Sequence, residues 1–179
     1  MNILSSPNLL ETNTVVEELL KRKILDKDIN VEDMVEEDRQ AILIFLRNTA
    51  FGAEYKITAL DPKTNEKFEF DCDLSTLKTK DFKLVEDANG EYSFRMPKSQ
   101  VDVTFKFLTK KQEDELVKIS DSWNGNGVAP IKTKELEFLV KSVQGNKDPL
   151  NIKNFVENLP IMDAQVFRKY VNENKPGID

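Results

Sequence analysis

Apolar positions along this chain recur with two different periods, helical toward both ends and strand-like in the middle. Val15, Val16, Leu19, Leu20 and Ile24 follow Thr14 and Glu17, a Thr-x-x-Glu capping box, and predict a short helix over about 15–25. Asp33 and Glu36 repeat that capping pattern ahead of a helix from about 34 to 50. Its stretch "AILIFL" at 41–46 is apolar on so many sides that burial on more than one face is expected, at the centre of the domain or against a partner. Gly52, after Phe51, can take the left-handed conformation that ends a helix.

Alternation then switches to period two. Tyr55, Ile57 and Ala59 in 54–60, and Phe68, Phe70, Cys72 and Leu74 in 67–74, mark two half-buried strands. The turn chemistry of "DPKTNE" between them makes a hairpin. "FKLVED" and "EYSFRM" flank Asn89-Gly90, a strong hairpin signal, and Val101, Val103, Phe105 and Phe107 alternate in a further strand. Four or five short strands would make a small antiparallel sheet. Helical patterns return after Thr109, which with Gln112 caps a helix to about Ser120. Next comes the loop "SWNGNGVAP" at 122–130. Thr133 opens a helix with the stripe Leu136, Leu139, Val140 and Val143, stopped by Gly145-Asn146. Asp148-Pro149 opens another, with Ile152, Phe155, Val156 and Leu159 inward. Asp163 is expected to cap the last helix, with Phe167, Tyr170 and Val171 facing in. The order predicts an α+β protein, with N-terminal helices, a small antiparallel sheet of β-hairpins and a C-terminal helical bundle. Three segments follow: 1–33, an arm and short helix; 34–108, the central helix and hairpins; 109–179, a helical subdomain. Ile3, Leu4, Leu9 and Leu10 give the arm apolar side chains, for docking on a neighbouring subunit or for none.

Composition narrows the chemistry. The 179 residues include no histidine and one cysteine, Cys72. Ser-His-Asp and Cys-His catalysis and a His or Cys zinc cage within one chain are therefore excluded, as is an internal disulfide. That points to a reducing compartment. Cys72 lies on the apolar side of its strand and reads as a small core residue. No run approaches the ~20 apolar residues of a membrane helix, and the N-terminus lacks the pattern of a signal peptide. The net charge of −6 sits mostly in residues 1–40, with ten acidic and five basic side chains. Nowhere is there the basic excess expected of a nucleic-acid binder. Residues 26–38 hold seven acidic residues and one lysine, which reads as a solvated linker and helix start, without the spacing or glycine of a calcium loop. "WNGNG" lacks the Lys-Ser/Thr of a phosphate-binding loop. Neighbouring carboxylates such as Asp71 and Asp73 are what 32 acidic residues produce by chance. No catalytic residue, cofactor or metal site is assigned. The residues chosen as contact candidates are Leu43, Ile44, Phe45, Leu46, Phe51 and Trp123, the first four equally readable as internal core. Tryptophan is enriched at interface hot spots.

Two segments carry a resemblance. In 41–78, an apolar helix ends in Leu46-Arg47, Phe51-Gly52 and Tyr55 step into a strand, and Asp73-Leu74-Ser75-Thr76-Leu77 closes the hairpin. In the C-terminal "NFVENLPIMDAQVFRKYVNENKPGID", Leu-Pro precedes a helix containing Arg168, then Pro-Gly-Ile-Asp. Together they resemble the baseplate hub and hub-assembly family of T-even-type contractile-tailed bacteriophages. Many relatives carry a Cys-Pro-x-Cys turn in the first hairpin; here it is Asp61-Pro62-Lys63-Thr64, so no zinc role carries over. Arg47 is expected to hydrogen-bond carbonyls or pair with Asp73. The resemblance implies a non-enzymatic structural protein of the virion tail baseplate, present in the host cytoplasm during assembly. The partners it implies are other tail proteins (hub, tube or tape-measure) and copies of itself, without nucleic acid or membrane. The alternative it leaves open is a transient assembly chaperone that holds amphipathic partner helices and is absent from the mature virion. A carboxylate enzyme is the remaining competitor.

Overall fold

The computed structural model describes residues 15–123 and 130–178. The N-terminal arm, Thr14 of the first capping box and the loop "NGNGVA" lie outside them. The elements run α1 (Val15–Lys23), a 3-10 turn (Val31–Asp33), α2 (Glu36–Phe51), β1 (Glu54–Leu60), β2 (Lys67–Asp73), a 3-10 turn (Leu74–Thr76), β3 (Tyr92–Arg95) and β4 (Asp102–Phe105). They continue with α3 (Lys110–Ser122), α4 (Ile131–Leu139), β5 (Val140–Val143), α5 (Pro149–Glu157) and α6 (Ile161–Glu173). The architecture is α+β, with helices at both ends. The strands form two sheets rather than one, a two-stranded β1-β2 and a three-stranded β3-β4-β5.

The chain divides into two compact units. One comprises the described parts of Met1–Leu25, Glu37–Asp81 and Pro176–Asp179; the other comprises Asp26–Glu36 and Phe82–Lys175.

In the first unit, α1 carries Glu17 and Glu18 in its first turn and Lys21, Arg22 and Lys23 in its last, the order that complements the helix dipole. Leu20 is its fully buried residue. In the intervening residues, which belong to the second unit, Asn30 caps the 3-10 turn; α2 begins at Glu36 and Asp33 is not its cap. Nor is α2 buried on several sides. Ala41 to Ile44 and Leu46 are half-buried, while Phe45 is 67% and Phe51 81% exposed. Gly52 stops the helix at φ +84°, its N–H bonded to the Asn48 carbonyl at 3.0 Å. A Cβ there would meet nothing within 4 Å, so backbone conformation, not space, favours glycine.

The register pairs Tyr55 with Cys72, Ile57 with Phe70 and Ala59 with Phe68, placing the alternating apolar residues on one shared face. Asp61 holds the connection: its Oδ1 accepts from Lys63 N at 2.7 Å and its carbonyl from Asn65 N at 2.8 Å. Local hydrogen bonds thus form this turn. After the hairpin, Thr79 bridges to Ile178 and Lys80 N donates to the Gly177 carbonyl at 2.9 Å. The Pro-Gly-Ile end of the C-terminal segment therefore pairs just beyond the hairpin segment, within the first unit, while the helix that precedes it belongs to the second.

In the second unit the core gathers on β4. Phe105 and Phe167 are fully buried with ring centroids 5.4 Å apart and planes at 84°, and Met96, Leu139, Val140 and Val171 close around them. Phe94 reaches Tyr170 at 4.6 Å. The capping box at Thr109 forms in both directions, and Asp148 caps α5 ahead of Pro149.

Three local expectations are corrected here. Val140 to Val143 leave the helix and pair with β4, Phe105 opposite Val140 and Val103 opposite Val143. An open strand edge offers the β-branched Val140 and Val143 more than another helical turn would. "FKLVED" is not a strand: the Asn89-Gly90 turn closes through Asp87, whose Oδ1 accepts from Asn89 N at 2.8 Å and Glu91 N at 2.9 Å. β3 pairs instead with β4. Asp163 does not cap its own helix. It sits fully buried in the first turn of α6, and its carboxylate accepts from Lys98 N (2.7 Å) and Ser99 N (2.9 Å) in the β3–β4 connection.

Candidate functional site

Among its described residues the first unit exposes the large apolar side chains Phe45, Phe51, Tyr55, Leu60, Phe68 and Phe70. α2 delivers Leu43, Leu46 and Phe51 to one side, where with Leu19 and the stem of Lys23 from α1 they line an open groove of about 460 Å³. Ile44 points elsewhere, into a groove of about 320 Å³ with Gln40, Leu77 and Ile178. Phe45 lies outside both linings and mostly in solvent. Trp123 belongs to the other unit, at the C-terminal cap of α3, and is 42% exposed. Three of the six contact candidates are thus brought together. Leu19 is a groove residue that the contact candidates omit, although its place in the α1 stripe was legible.

Arg47 shapes the floor of this corner. Its guanidinium donates to the carbonyls of Gly52 and Glu54 and lies 4.7 Å from the Tyr55 ring centre. The carbonyl reading of Arg47 therefore holds. Asp73 is occupied by the next turn, accepting from Ser75 N (2.9 Å) and Ser75 Oγ (2.7 Å). Those hydrogen bonds, the side-chain one foremost, hold its carboxyl below the usual range. Leu74 N then bonds the Ala53 carbonyl at 2.9 Å. The motif from Leu46 to Leu77 is a hydrogen-bonded corner that fixes where α2 ends and the hairpin leaves.

That hairpin adds a second apolar surface. Phe68 and Phe70 stack at 6.1 Å, and Tyr55, Phe68 and Phe70 are each close to half exposed. Cys72 is half-buried on the same face, not fully internal. Among the described residues, no group of His, Cys, Asp and Glu has a metal-binding arrangement, and no helix is long and apolar enough to cross a membrane.

Replacing Arg47 by lysine is expected to destabilise the protein by about 1.5–3 kcal/mol, because an ammonium cannot present a planar fork to two carbonyls while stacking on Tyr55. A denaturant midpoint unchanged from that of the unsubstituted chain would refute this role.

Exposed apolar surfaces such as this groove and this ribbon commonly mark contact sites for other macromolecules. The chain belongs to the family described as T4 bacteriophage base plate protein, whose model matches residues 3–172. It is thus a baseplate protein of the T4 type, a structural component of the virion tail that contacts other baseplate proteins. No curated protein and no solved structure matches it.

Proposed function

We propose that this chain is a non-enzymatic structural subunit at the hub of the baseplate of a contractile tail. It acts by burying its apolar surfaces against neighbouring hub, tube or tape-measure proteins and against copies of itself. The observation that carries this reading is the convergence of Leu19, Leu43, Leu46 and Phe51 on one open groove. Burying such a surface is favourable at roughly 25 cal/mol per Å² of apolar area, so it favours assembly over isolation. Phe45, Ile44 and Trp123 supply further contacts on other faces. Assembly would take place in the host cytoplasm, before the chain is locked into the particle.

A groove walled by two helices also suits a third, amphipathic helix, as a transient tail-assembly chaperone would need. Quantitative mass spectrometry on purified intact particles separates the two. Recovery in fixed ratio to the tube and wedge proteins is expected, and that ratio reports the copy number of the chain. Absence from particles, together with abundance in infected-cell lysate, would overturn the hub reading in favour of the chaperone.

A further inference from the structure

The second unit carries a surface of opposite character to the rest of this acidic chain. Between α4, β5 and α5 lies a pocket of about 350 Å³. Its floor is apolar, built from Phe138, Val140, Pro149 and Ile152, and its rim holds Lys134, Lys141, Lys147 and Lys153 against a single acidic residue, Glu137. Lys134 pairs with Glu137 at 3.1 Å, Lys147 with the buried Glu91 at 2.9 Å, and Lys153 with Glu157 at 3.9 Å. Lys141 donates at 2.6 Å to the Phe138 carbonyl, a neutral partner. Burial first, and then the neighbouring Lys106, hold its pKa below the ordinary lysine value. An arriving carboxylate would relieve that strain.

The complementary surface is on the same chain. The stretch from Asp26 to Ile29 precedes the first 3-10 turn and is exposed throughout. Asp26 and Asp28 are held together by a hydrogen bond from Asp28 N to Asp26 Oδ1 at 3.0 Å. Ile29, between Asp28 and Asn30, is 46% exposed, and with Lys27 included the stretch carries a net charge of −1. The pocket offers the matching arrangement, an apolar floor ringed by ammonium groups.

We propose that the Asp26–Ile29 segment of one copy docks into the lysine-rimmed pocket of a second copy, Ile29 on the apolar floor and Asp26 and Asp28 among the rim lysines. The two surfaces differ, so the contact is heterologous and joins copies head to tail, which yields a closed ring or an open filament. A single short segment buries little area, so one contact alone is weak. Its strength falls with salt, because the pairs on the rim are exposed. The inference does not depend on where in the tail the chain sits, and its failure leaves the hub reading untouched.

The test uses the full chain in sedimentation velocity, at low salt and up to roughly millimolar protein, the range where a weak contact shows. Concentration-dependent association is expected, weakened roughly tenfold or more by 0.5 M salt. The double variants Asp26→Lys/Asp28→Lys and Lys134→Glu/Lys153→Glu are each expected to remain monomeric. Mixed in equal amounts, they are expected to associate as alternating copies, since each variant's segment then meets a pocket of opposite charge. Asp26, Asp28 and Lys153 are exposed and Lys134 is half-buried beside Glu137 and Phe138, so circular dichroism and the unfolding midpoint of each variant check that it folds. Lys147 is spared because its substitution would strand Glu91. A strictly monomeric chain under these conditions overturns the proposal. So does association that both double variants retain, which would place the self-contact elsewhere, or a mixture that stays monomeric.

Discussion

Replacing Phe105 by alanine is expected to lower the unfolding free energy by about 3–5 kcal/mol, the largest effect of any single substitution in the second unit. Phe105 is fully buried and its ring stands within 5.4–6.1 Å of those of Tyr92, Phe107, Phe167 and Tyr170. It also lies on β4, the central strand of its sheet, opposite Tyr92 on one side and Val140 on the other. Truncation there removes contacts to β3, β5 and α6 together, and aromatic neighbours held from several elements cannot collapse into the space. Because a domain of this size has only about 5–15 kcal/mol of stability in all, partial loss of structure at physiological temperature is expected as well. Thermal and denaturant unfolding measure this directly. A loss below ~1.5 kcal/mol would mean that the aromatic cluster repacks and that β4 is not its centre. By contrast, Phe51→Ala, at an 81% exposed position, should leave the midpoint nearly unchanged while weakening any contact through the groove.

The second large effect is expected at Asp163. Its two carboxylate oxygens each accept one backbone N–H, from Lys98 and from Ser99, tying the β3–β4 connection to the start of α6. Asparagine is nearly isosteric, yet it supplies one acceptor oxygen and sets an NH₂ group against the other N–H donor. Asp163→Asn should therefore cost about 1.5–3 kcal/mol, the range for hydrogen bonds to a charged group. Acidity gives an independent readout. Burial pushes the Asp163 carboxyl upward, but the hydrogen bonds from Lys98 and Ser99, and the Lys98 charge, more than offset it and leave the pKa below the usual 3.8. A carboxylate with a lowered folded-state pKa stabilises the fold fully above its unfolded value and loses that contribution as pH falls through the folded one. The unsubstituted chain should thus lose more stability than Asp163→Asn between neutral pH and the acid side of the carboxylate range. Parallel pH profiles for the two proteins would show that the fold does not lower the pKa of Asp163.

Local rules accounted for the features that short stretches control. The capping box at Thr109 and Gln112, Pro149 at the start of its helix, the stop at Gly52 and the apolar alternation of 54–73 all appear as read. Each depends on residues within a few positions of one another, so a single stretch contains the whole interaction. The corner built on Arg47 was half legible. An arginine near a helix end has carbonyls within reach, but that Glu54 supplies one of them depends on the direction taken after Gly52. The groove was legible as the residues Leu43, Leu46 and Phe51, but Ile44 and Phe45 could not be separated from them in a run apolar on every side. Which face a helix buries is decided by what packs against it.

Taken by itself, the sequence determined the α+β order of elements, the lack of histidine chemistry, the acidic excess of residues 1–40 and the family motifs, since these are properties of residue type and near-neighbour spacing. Tertiary structure alone decided four things: that Val140 to Val143 extend a sheet, that the strands split into two sheets, that Asp163 serves a distant turn, and that lysines from α4, β5 and α5 ring one pocket. Each rests on contacts between different secondary-structure elements. Val140 to Val143 become a strand because the edge of β4 is open to them, and Asp163 ionises in a buried site because Lys98 and Ser99 bring their N–H groups to it. In both cases the partner supplies the free energy that local propensity lacks, and only folding brings the partner near.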